Sequence, residues 1–207
     1  MHKISGPTTV CVSPSTCYQF LIDNADSDMK YLKTTNAGVS WQTAVTIKAG
    51  ITGIQFGIWY DKWTTSDTGT KIHVVYSDSV TDDLFYNYVD TGASDAMGTE
   101  RTAIAGTSVV EQGNNRAVIG KSRGGNLYVA WCNDLTCSEG GFYKSADLFA
   151  TAGTNLLTPL EGTSSDQFLL MPANVADNND MWLLFYDRSA SELSLKTYDD
   201  SADTWSE

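Results

Sequence analysis

The sequence predicts an all-β fold built from repeated four-stranded antiparallel sheets. Short runs of β-branched and aromatic residues alternate with clusters of Asp, Asn, Ser and Gly. No window of about 11 residues shows the apolar period of a helix. One hairpin pattern also recurs along the 207 residues. Four antiparallel strands per unit, repeated radially, are the sequence pattern of a β-propeller, so we predict about four blades of this kind.

The repeated unit is a hairpin with an acidic turn. Its copies recur with a period of about 55 residues, and the third copy is looser than the others. Each copy is an apolar strand, a short turn and a strand of alternating apolar and polar residues. The copies are residues 20–23 with 28–31, 75–78 with 83–86, 130–133 with 141–143, and 184–187 with 192–195.

Further strands are predicted on both sides of the hairpins. A short apolar strand precedes each hairpin, at residues 9–12, 54–60, 117–120 and 168–171. A fourth strand follows the first two hairpins, at residues 42–47 and 101–104. The repeats then span roughly residues 1–50, 51–105, 106–160 and 161–207, which predicts one propeller domain or part of a larger propeller.

The turn after the third strand carries a second repeated pattern. Residues 34–41 and 198–205 end in Trp41 and Trp205, whose separation is the same as that of the first and fourth hairpins. An Asx side chain can bond amides of its own turn, Gly can take a positive φ, and Ser or Thr adds a local bond. We expect the tryptophans to pack between neighbouring units. The residues assigned to these turns are Asn36, Gly38, Ser40, Trp41, Asp200 and Trp205.

These turn residues resemble the Asp-box, or BNR repeat, of sialidases and related propellers, whose pattern is Ser/Thr-x-Asp-x-Gly-x-Thr-Trp. Residues 34–41 match with Asn36 in place of Asp, and residues 198–205 match with Ala202 where Gly belongs. Remnants without the Trp lie at residues 90–92 and 145–147. The resemblance implies a propeller whose boxes lie on its outside, remote from any active site.

The resemblance to sialidases also implies a set of catalytic residues that a sialidase-like enzyme would contain. Three arginines would clamp a substrate carboxylate, an Asp would act as acid/base, and a Tyr with a neighbouring Glu would be the nucleophile. The triad cannot be placed on the four arginines of this chain, and a sialidase requires six blades where four are visible. A fragment of a sialidase-like glycoside hydrolase is therefore an alternative to a non-catalytic module. The four arginines are Arg101, Arg116, Arg123 and Arg188.

No cofactor or metal site is predicted. His2 and His73 are too few for a His-rich metal site, and no P-loop or dinucleotide motif is present. The acidic clusters at residues 23–28 and 177–180 offer oxygen ligands but lack the Gly and closing Glu of an EF-hand loop. We interpret both clusters as solvated hairpin turns.

The four cysteines form two local pairs. Cys11 lies close to Cys17 in the chain, and Cys132 lies close to Cys137, so we expect a disulfide within each pair. Four reduced, buried thiols are the alternative, and a four-cysteine zinc site is less favoured because its spacing fits poorly. Paired cysteines in an acidic, lysine-poor chain favour an extracellular or surface location.

Charge narrows the classes of partner. Thirteen Lys and Arg against 25 Asp and Glu give a formal net charge of −12, which excludes the basic surface of a nucleic-acid-binding protein. No apolar stretch approaches the roughly 18 residues of a membrane span, so no membrane insertion is predicted.

The sequence therefore predicts a non-catalytic, extracellular β-propeller that recognises a glycan or a protein. Trp59, Tyr60 and Trp63 are the candidate residues for stacking on a sugar. A structural subunit of a surface or virion assembly is a further alternative. Open sheet edges would then be covered by a second copy or by blades from another chain.

Overall fold

The structure, a computed structural model, describes residues 8–23, 25–51, 55–78, 80–106, 116–132, 140–156, 165–174, 177–187 and 190–206. They form four antiparallel sheets of consecutive strands. The first sheet contains β1 (Thr9–Cys11), β2 (Cys17–Asp23), β3 (Asp28–Thr34) and β4 (Val45–Lys48). The second contains β5 (Phe56–Tyr60), β6 (Lys71–Asp78), β7 (Asp83–Asp90), β8 (Ala96–Met97) and β9 (Arg101–Ile104). The third contains β10 (Arg116–Lys121), β11 (Leu127–Cys132), β12 (Gly140–Ser145) and β13 (Thr154–Asn155). The fourth contains β14 (Ser165–Pro172), β15 (Met181–Asp187), β16 (Glu192–Asp199) and β17 (Thr204–Ser206).

The sheets confirm the predicted all-β class and the repeated four-stranded unit. In the second sheet, β8 and β9 pair with opposite ends of β7, so two short strands share the outer position. The two-residue strands β8 and β13 are not predicted from the sequence. A 3-10 turn, Asp61–Trp63, follows β5. No helix in the described part of the chain is long and apolar enough to span a membrane.

The hairpin repeat is preserved in the strand register. The second and third strands of the sheets pair Tyr18 with Lys33, His73 with Tyr88, Tyr128 with Lys144, and Trp182 with Thr197. The second-strand members of these pairs recur at intervals of about 55 residues, as the sequence predicts. The period deduced from the sequence is therefore the length of one sheet with its connections.

Successive sheets pack face to face. One buried cluster joins the first and second sheets, another joins the second and third, and another joins the third and fourth. Among the residues that the structure describes, no buried cluster contains both first-sheet and fourth-sheet side chains. A Cβ at Gly57 would lie 2.8 Å from the carbonyl oxygen of Ala117 and 3.0 Å from Cα of Val118. Glycine therefore lets the inner strands β5 and β10 approach closely.

A polar link recurs at the sheet interfaces. The hydroxyl of Tyr18 in the first sheet donates to Asp95 in the second at 2.5 Å, and Nζ of Lys33 lies 2.6 Å from the same carboxylate. Between the third and fourth sheets, the equivalent residues are Tyr128, Lys144 and Asp200. Between the second and third sheets, His73 takes the position of the tyrosine and forms a different network.

Candidate ligand-binding site

An open pocket of about 470 Å³ lies between β9 of the second sheet and the turn that follows β12 in the third sheet. Ligand pockets in proteins typically measure about 300–1,000 Å³, so this one suits a small ligand or a sugar residue. Its lining residues are Arg101, Thr102, Ala103, Ile104, Ala105, Tyr143, Phe149, Ala150, Ala152 and Gly153.

Arg101 connects the two sides of the pocket. Its Nη1 donates hydrogen bonds to the carbonyl oxygens of Asp147, at 2.9 Å, and Leu148, at 3.0 Å. Its other N–H groups make no hydrogen bond to the residues that the structure describes. Because a guanidinium carries five N–H donors, Arg101 holds the turn in place and still presents free donors beside the pocket.

The remaining lining is mostly apolar. Ile104 and Phe149 are buried, and a Cβ at Gly153 would lie 3.0 Å from Cε1 of Phe149. Tyr143 is half-buried, and this burial raises the pKa of its hydroxyl, which therefore stays protonated at neutral pH. The pocket thus combines an apolar wall with a cationic donor and a neutral hydroxyl.

Local hydrogen bonds fix the turn that forms one wall. Oγ of Ser145 donates to Asp147 at 2.9 Å, and the backbone N–H of Phe149 donates to Ser145 at 2.7 Å. The hydroxyl of Thr151 donates to Asp147 at 2.8 Å. Leu148 and Phe149 take positive φ values of 59° and 58°, which turns the chain so that Phe149 faces the pocket.

The predicted turn of the first sheet has the same hydrogen bonds. Oγ1 of Thr34 donates to Asn36 at 2.9 Å, while the N–H groups of Gly38 and Ser40 donate to Thr34 and Asn36 at 3.0 and 2.9 Å. The third-sheet turn has equivalent hydrogen bonds, from Ser145 to Asp147 and from the N–H of Phe149 to Ser145. Phe149 occupies the position that Gly38 has in the first turn. Sequence analysis recognised only residues 145–147 of this turn, since Phe149 is a non-glycine residue in a conformation that such residues rarely take.

The fourth-sheet turn differs from the prediction. Asp199 accepts the backbone N–H groups of Ser201 and Ala202, both at 2.9 Å. Asp200, which was predicted to close the turn, instead accepts hydrogen bonds from the third sheet, and its own N–H donates to Asp180 at 2.9 Å. The turn role predicted for Asp200 therefore belongs to its neighbour Asp199.

The two turn tryptophans have different surroundings. Trp205 packs against Phe142 of the third sheet, with ring centroids 4.8 Å apart, and against Tyr198 at 5.2 Å. Trp41 is 42% exposed. Among the residues that the structure describes, packing between neighbouring sheets is thus observed for Trp205 but not for Trp41.

The aromatic residues predicted to stack on sugars lie at the end of β5. Trp59 and Tyr60 are buried, and Nε1 of Trp59 donates to Thr64 at 3.0 Å. Trp63 is half-buried and makes edge-to-face contacts with both rings, with centroids 5.6 and 6.4 Å apart. A sugar could stack on Trp59 or Tyr60 only after they left the core, whereas Trp63 keeps part of its ring accessible.

Asp61, directly after β5, is the centre of a buried polar network. Its carboxylate contacts Nε2 of His73 at 2.8 Å and Nζ of Lys121 at 2.6 Å, and it accepts the backbone N–H of Lys71 at 2.8 Å. Nδ1 of His73 lies 2.7 Å from the hydroxyl of Tyr86. The network joins the second and third sheets through charge as well as apolar packing.

The environment fixes the protonation states of this network. Burial alone would raise the pKa of Asp61, but the hydrogen bonds from His73, Lys121 and Lys71 outweigh it and hold this pKa well below its usual range. Burial lowers the pKa of His73, so its imidazole is neutral. Its Nε2–H therefore donates to Asp61, and its Nδ1 accepts the Tyr86 hydroxyl.

The order Tyr86, His73, Asp61 resembles a proton relay, but its burial argues against catalysis. Tyr86 and His73 are fully buried. Burial also raises the pKa of Tyr86, which disfavours the phenolate that a nucleophile would need. We assign the network a stabilising role. Sequence analysis considered His73 as a metal ligand and did not identify Asp61 or Lys121.

The acidic turn of the first hairpin surrounds an ammonium group. Nζ of Lys30 lies 3.0 Å from Asp23 and 3.8 Å from Asp28, and it also contacts Asp26. Within the described ranges, no group of three or more His, Cys, Asp and Glu residues is placed to hold a metal ion.

The predicted Cys11–Cys17 disulfide is present and joins directly paired positions of β1 and β2. Cys132 is also disulfide-bonded. Cys137, its predicted partner, lies outside the described residues.

Comparison with known proteins identifies the fold. The sequence matches no family model and no curated protein. A polysaccharide lyase of family PL25, an ulvan lyase, superposes with a TM-score of 0.56 and 11% identity over 96% of this chain and 53% of the lyase. The GH74 xyloglucanase from Xanthomonas campestris gives 0.54 and 12% identity over 98% of this chain and 29% of the enzyme. The catalytic domain of the GH62 α-L-arabinofuranosidase from Coprinopsis cinerea gives 0.53 and 11% identity over 99% of this chain and 67% of the domain.

The chain therefore spans about half the length of the ulvan lyase and less of the xyloglucanase. At these identities the likeness concerns the fold. Four sequential antiparallel sheets that superpose on propeller enzymes establish that this chain has a β-propeller fold.

Proposed function

We propose that this protein is a carbohydrate-binding β-propeller and that the pocket beside Arg101 is its saccharide site. The observation that carries the proposal is the pocket's composition, with free guanidinium donors and a tyrosine hydroxyl beside an apolar wall. A sugar ring has an apolar C–H face and polar hydroxyl groups, so it can use both kinds of surface. The solved structures that resemble the chain include a polysaccharide lyase and a xyloglucanase.

The charge of Arg101 favours a saccharide that bears a carboxylate. A guanidinium fork matches a carboxylate in a planar, bidentate geometry, and such charge-assisted bonds are stronger than neutral ones. The net charge of −12 would repel an anionic ligand at long range. At physiological salt the Debye length is about 8 Å, so the local charge of Arg101 dominates once the ligand is in the pocket.

The lining favours binding over cleavage. Glycoside hydrolysis commonly uses two carboxyl groups on either side of the scissile bond. None of the described lining residues is Asp, Glu or His. A sialidase-like hydrolase that includes this chain remains the alternative function, and turnover of a bound glycan would identify it.

We also propose that the turn from Thr34 to Trp41 is an Asp-box. The bonds of Asn36 to Thr34 and Ser40, together with the positive φ of 86° at Gly38, support this assignment. An extracellular or surface location is proposed on the Cys11–Cys17 disulfide, since such bonds persist in oxidising compartments.

A glycan array probed with the whole chain tests the proposal, followed by titration of the strongest binder. We expect uronic-acid-containing glycans among the binders, and we expect Arg101→Ala to weaken binding by about 10- to 100-fold, the value of a hydrogen bond to a charged group. Ala152→Phe should fill the pocket while leaving the Arg101 contacts intact, and should weaken binding as well. Lys62→Ala removes an exposed charge elsewhere and is the matched control. An array without binders, or binding unaffected by Ala152→Phe, would overturn the proposed site.

A further inference from the structure

One face of the fourth sheet is apolar and uncovered. Leu169, Leu184 and Leu195 are direct neighbours across β14, β15 and β16, and Tyr186 is paired with Leu193 in the next row. The exposed fractions are 38% for Leu169, 48% for Leu195 and 73% for Leu193. Exposed leucines in adjacent rows form a contiguous patch of the kind that marks an interaction surface.

The strand register shows what covers this face in the earlier sheets. Phe142 is paired with Ala130 in the third sheet, as Leu195 is with Leu184 in the fourth. Phe142 is buried because Trp205 of the following sheet packs against it at 4.8 Å. The uncovered face of the fourth sheet therefore continues an interface that already forms between successive sheets of this chain.

The first sheet carries the complementary half of such an interface. Trp41 occupies the same place in the first repeat as Trp205 in the fourth, which is the position that packs against a preceding sheet. Trp41 is 42% exposed. Both halves are thus exposed in the same structure, so the first and fourth sheets of one chain do not cover each other.

We propose that the fourth sheet of one molecule packs against the first sheet of a second copy, in the register of the interfaces within the chain. Trp41 of the second copy then packs against Leu195 as Trp205 packs against Phe142. Two copies joined head to tail at both ends form a closed ring of eight sheets, at the upper limit of the typical range of four to eight blades. Closure covers the exposed leucines of each fourth sheet and Trp41 of each first sheet, and it stops further growth.

The electrostatics of the two surfaces permit this contact. The residues of the apolar patch on the fourth sheet carry no charge. On the facing side of the first sheet, Gln19 is hydrogen-bonded to Thr9 and Thr8, and the ammonium of Lys30 is paired with Asp23. Gln19 and Lys30 both lie on the central strands of the first sheet, and their polar groups keep these partners when the interface covers them.

Sedimentation equilibrium of the whole chain over a range of concentrations tests the proposal. The expected species has twice the chain mass of 22.5 kDa. Leu195→Asp or Trp41→Asp alone should raise the dissociation constant by about 30-fold or more, as for a central contact residue. Both residues are exposed in the single chain, so neither change should impair folding. Val80→Asp, which alters a 72%-exposed apolar residue of the second sheet, is the control and should not change the dissociation constant.

Mixing the two variants distinguishes the proposed head-to-tail contact from other arrangements. The Leu195→Asp molecule keeps an intact first sheet and the Trp41→Asp molecule keeps an intact fourth sheet, so an equimolar mixture should recover a dimer with one native interface. A dimer made from two fourth sheets would be lost on Leu195→Asp, unchanged by Trp41→Asp and not recovered by mixing. That pattern, or a monomer at every concentration, would overturn the proposal. The result does not depend on whether the Arg101 pocket binds a saccharide.

Discussion

Asp61 of the second sheet and Lys121 of the third form an ion pair 2.6 Å long, at the ends of the neighbouring inner strands β5 and β10. The Asp61 side chain is only 3% exposed. Lys121 is also 2.7 Å from Asp67, on the connection between β5 and β6. The pair is therefore part of a network that fixes one end of the interface between the second and third sheets. The proposed saccharide site lies at the same interface.

Replacing the buried carboxylate should destabilise the fold. Asp61→Asn removes the charge that compensates Lys121 and leaves one acceptor oxygen where the carboxylate offers two, so we expect the free energy of unfolding to fall by about 3 kcal/mol, the lower end for a broken buried pair. Urea denaturation measures the change. Asp67→Asn affects the same lysine at a more exposed position and should cost less than about 1 kcal/mol. If both variants lost the same free energy of unfolding, the burial of Asp61 would not be what makes its ion pair important.

The stability of the protein should depend on pH through His73. Burial lowers its pKa in the folded state below the ordinary value of 6.5, so the unfolded chain binds the proton more readily. The contribution of neutral His73 to the free energy of unfolding is therefore fully present above pH 6.5 and is lost as the pH falls below 6.5. The low pKa of Asp61 adds a second loss as the pH falls below the ordinary value of 3.8.

His73→Gln provides the control for this dependence, because glutamine retains a donor and an acceptor but does not titrate. Between pH 6.5 and 5, the free energy of unfolding should fall less steeply in His73→Gln than in the native protein. The largest possible difference is about 1.4 kcal/mol per pH unit for one proton. Parallel pH profiles would show that His73 does not take up a proton on unfolding.

The Cys11–Cys17 bond should stabilise the first hairpin modestly. For so short a loop, the chain-entropy estimate is about 2 kcal/mol. The double variant Cys11→Ser with Cys17→Ser should therefore melt at a lower temperature than the native protein under oxidising conditions. Under reducing conditions this difference should shrink, and a difference that persisted unchanged would indicate an effect of the substitutions themselves.

The close approach of β5 and β10 predicts a strong effect of Gly57→Ala. The new Cβ would meet backbone atoms of Ala117 and Val118, which cannot move aside without separating the sheets. We expect a loss of about 1–3 kcal/mol, typical of overpacking. At Gly120, a Cβ would first meet Cε of Met181 at 3.0 Å, the end of a flexible side chain. Gly120→Ala should therefore be better tolerated, and the reverse order in thermal unfolding would contradict this account.

The repeat made much of the fold predictable, because each hairpin carries its own pattern. Residues 20–23 and 28–31 fall within β2 and β3, and Asp23 and Asp28 are paired at the hairpin end as the acidic turn predicts. The outer strands were less predictable. β8 and β13 have two residues each, too few to show alternation, and the predicted fourth strand at 42–47 is observed at Val45–Lys48.

The candidate site was largely hidden from sequence analysis, because its residues are distant in the chain. Arg101 meets the turn at Asp147 and Leu148 only after the second and third sheets pack. Trp59 and Tyr60, in contrast, were predicted from the sequence to contact a sugar, but the structure buries them. β5 is buried on both faces, so period-two alternation cannot separate a core aromatic residue from an accessible one.

The most direct test of the central claim is to map the saccharide contact by ¹H–¹⁵N NMR on the whole chain. Titration with a uronic-acid oligosaccharide should shift the backbone amides of residues 102–105 and 150–153, and the Arg101→Ala variant should show much weaker shifts at the same ligand concentration. Shifts centred instead on Trp63, or no shifts at millimolar ligand, would contradict the assignment of the Arg101 pocket as the saccharide site.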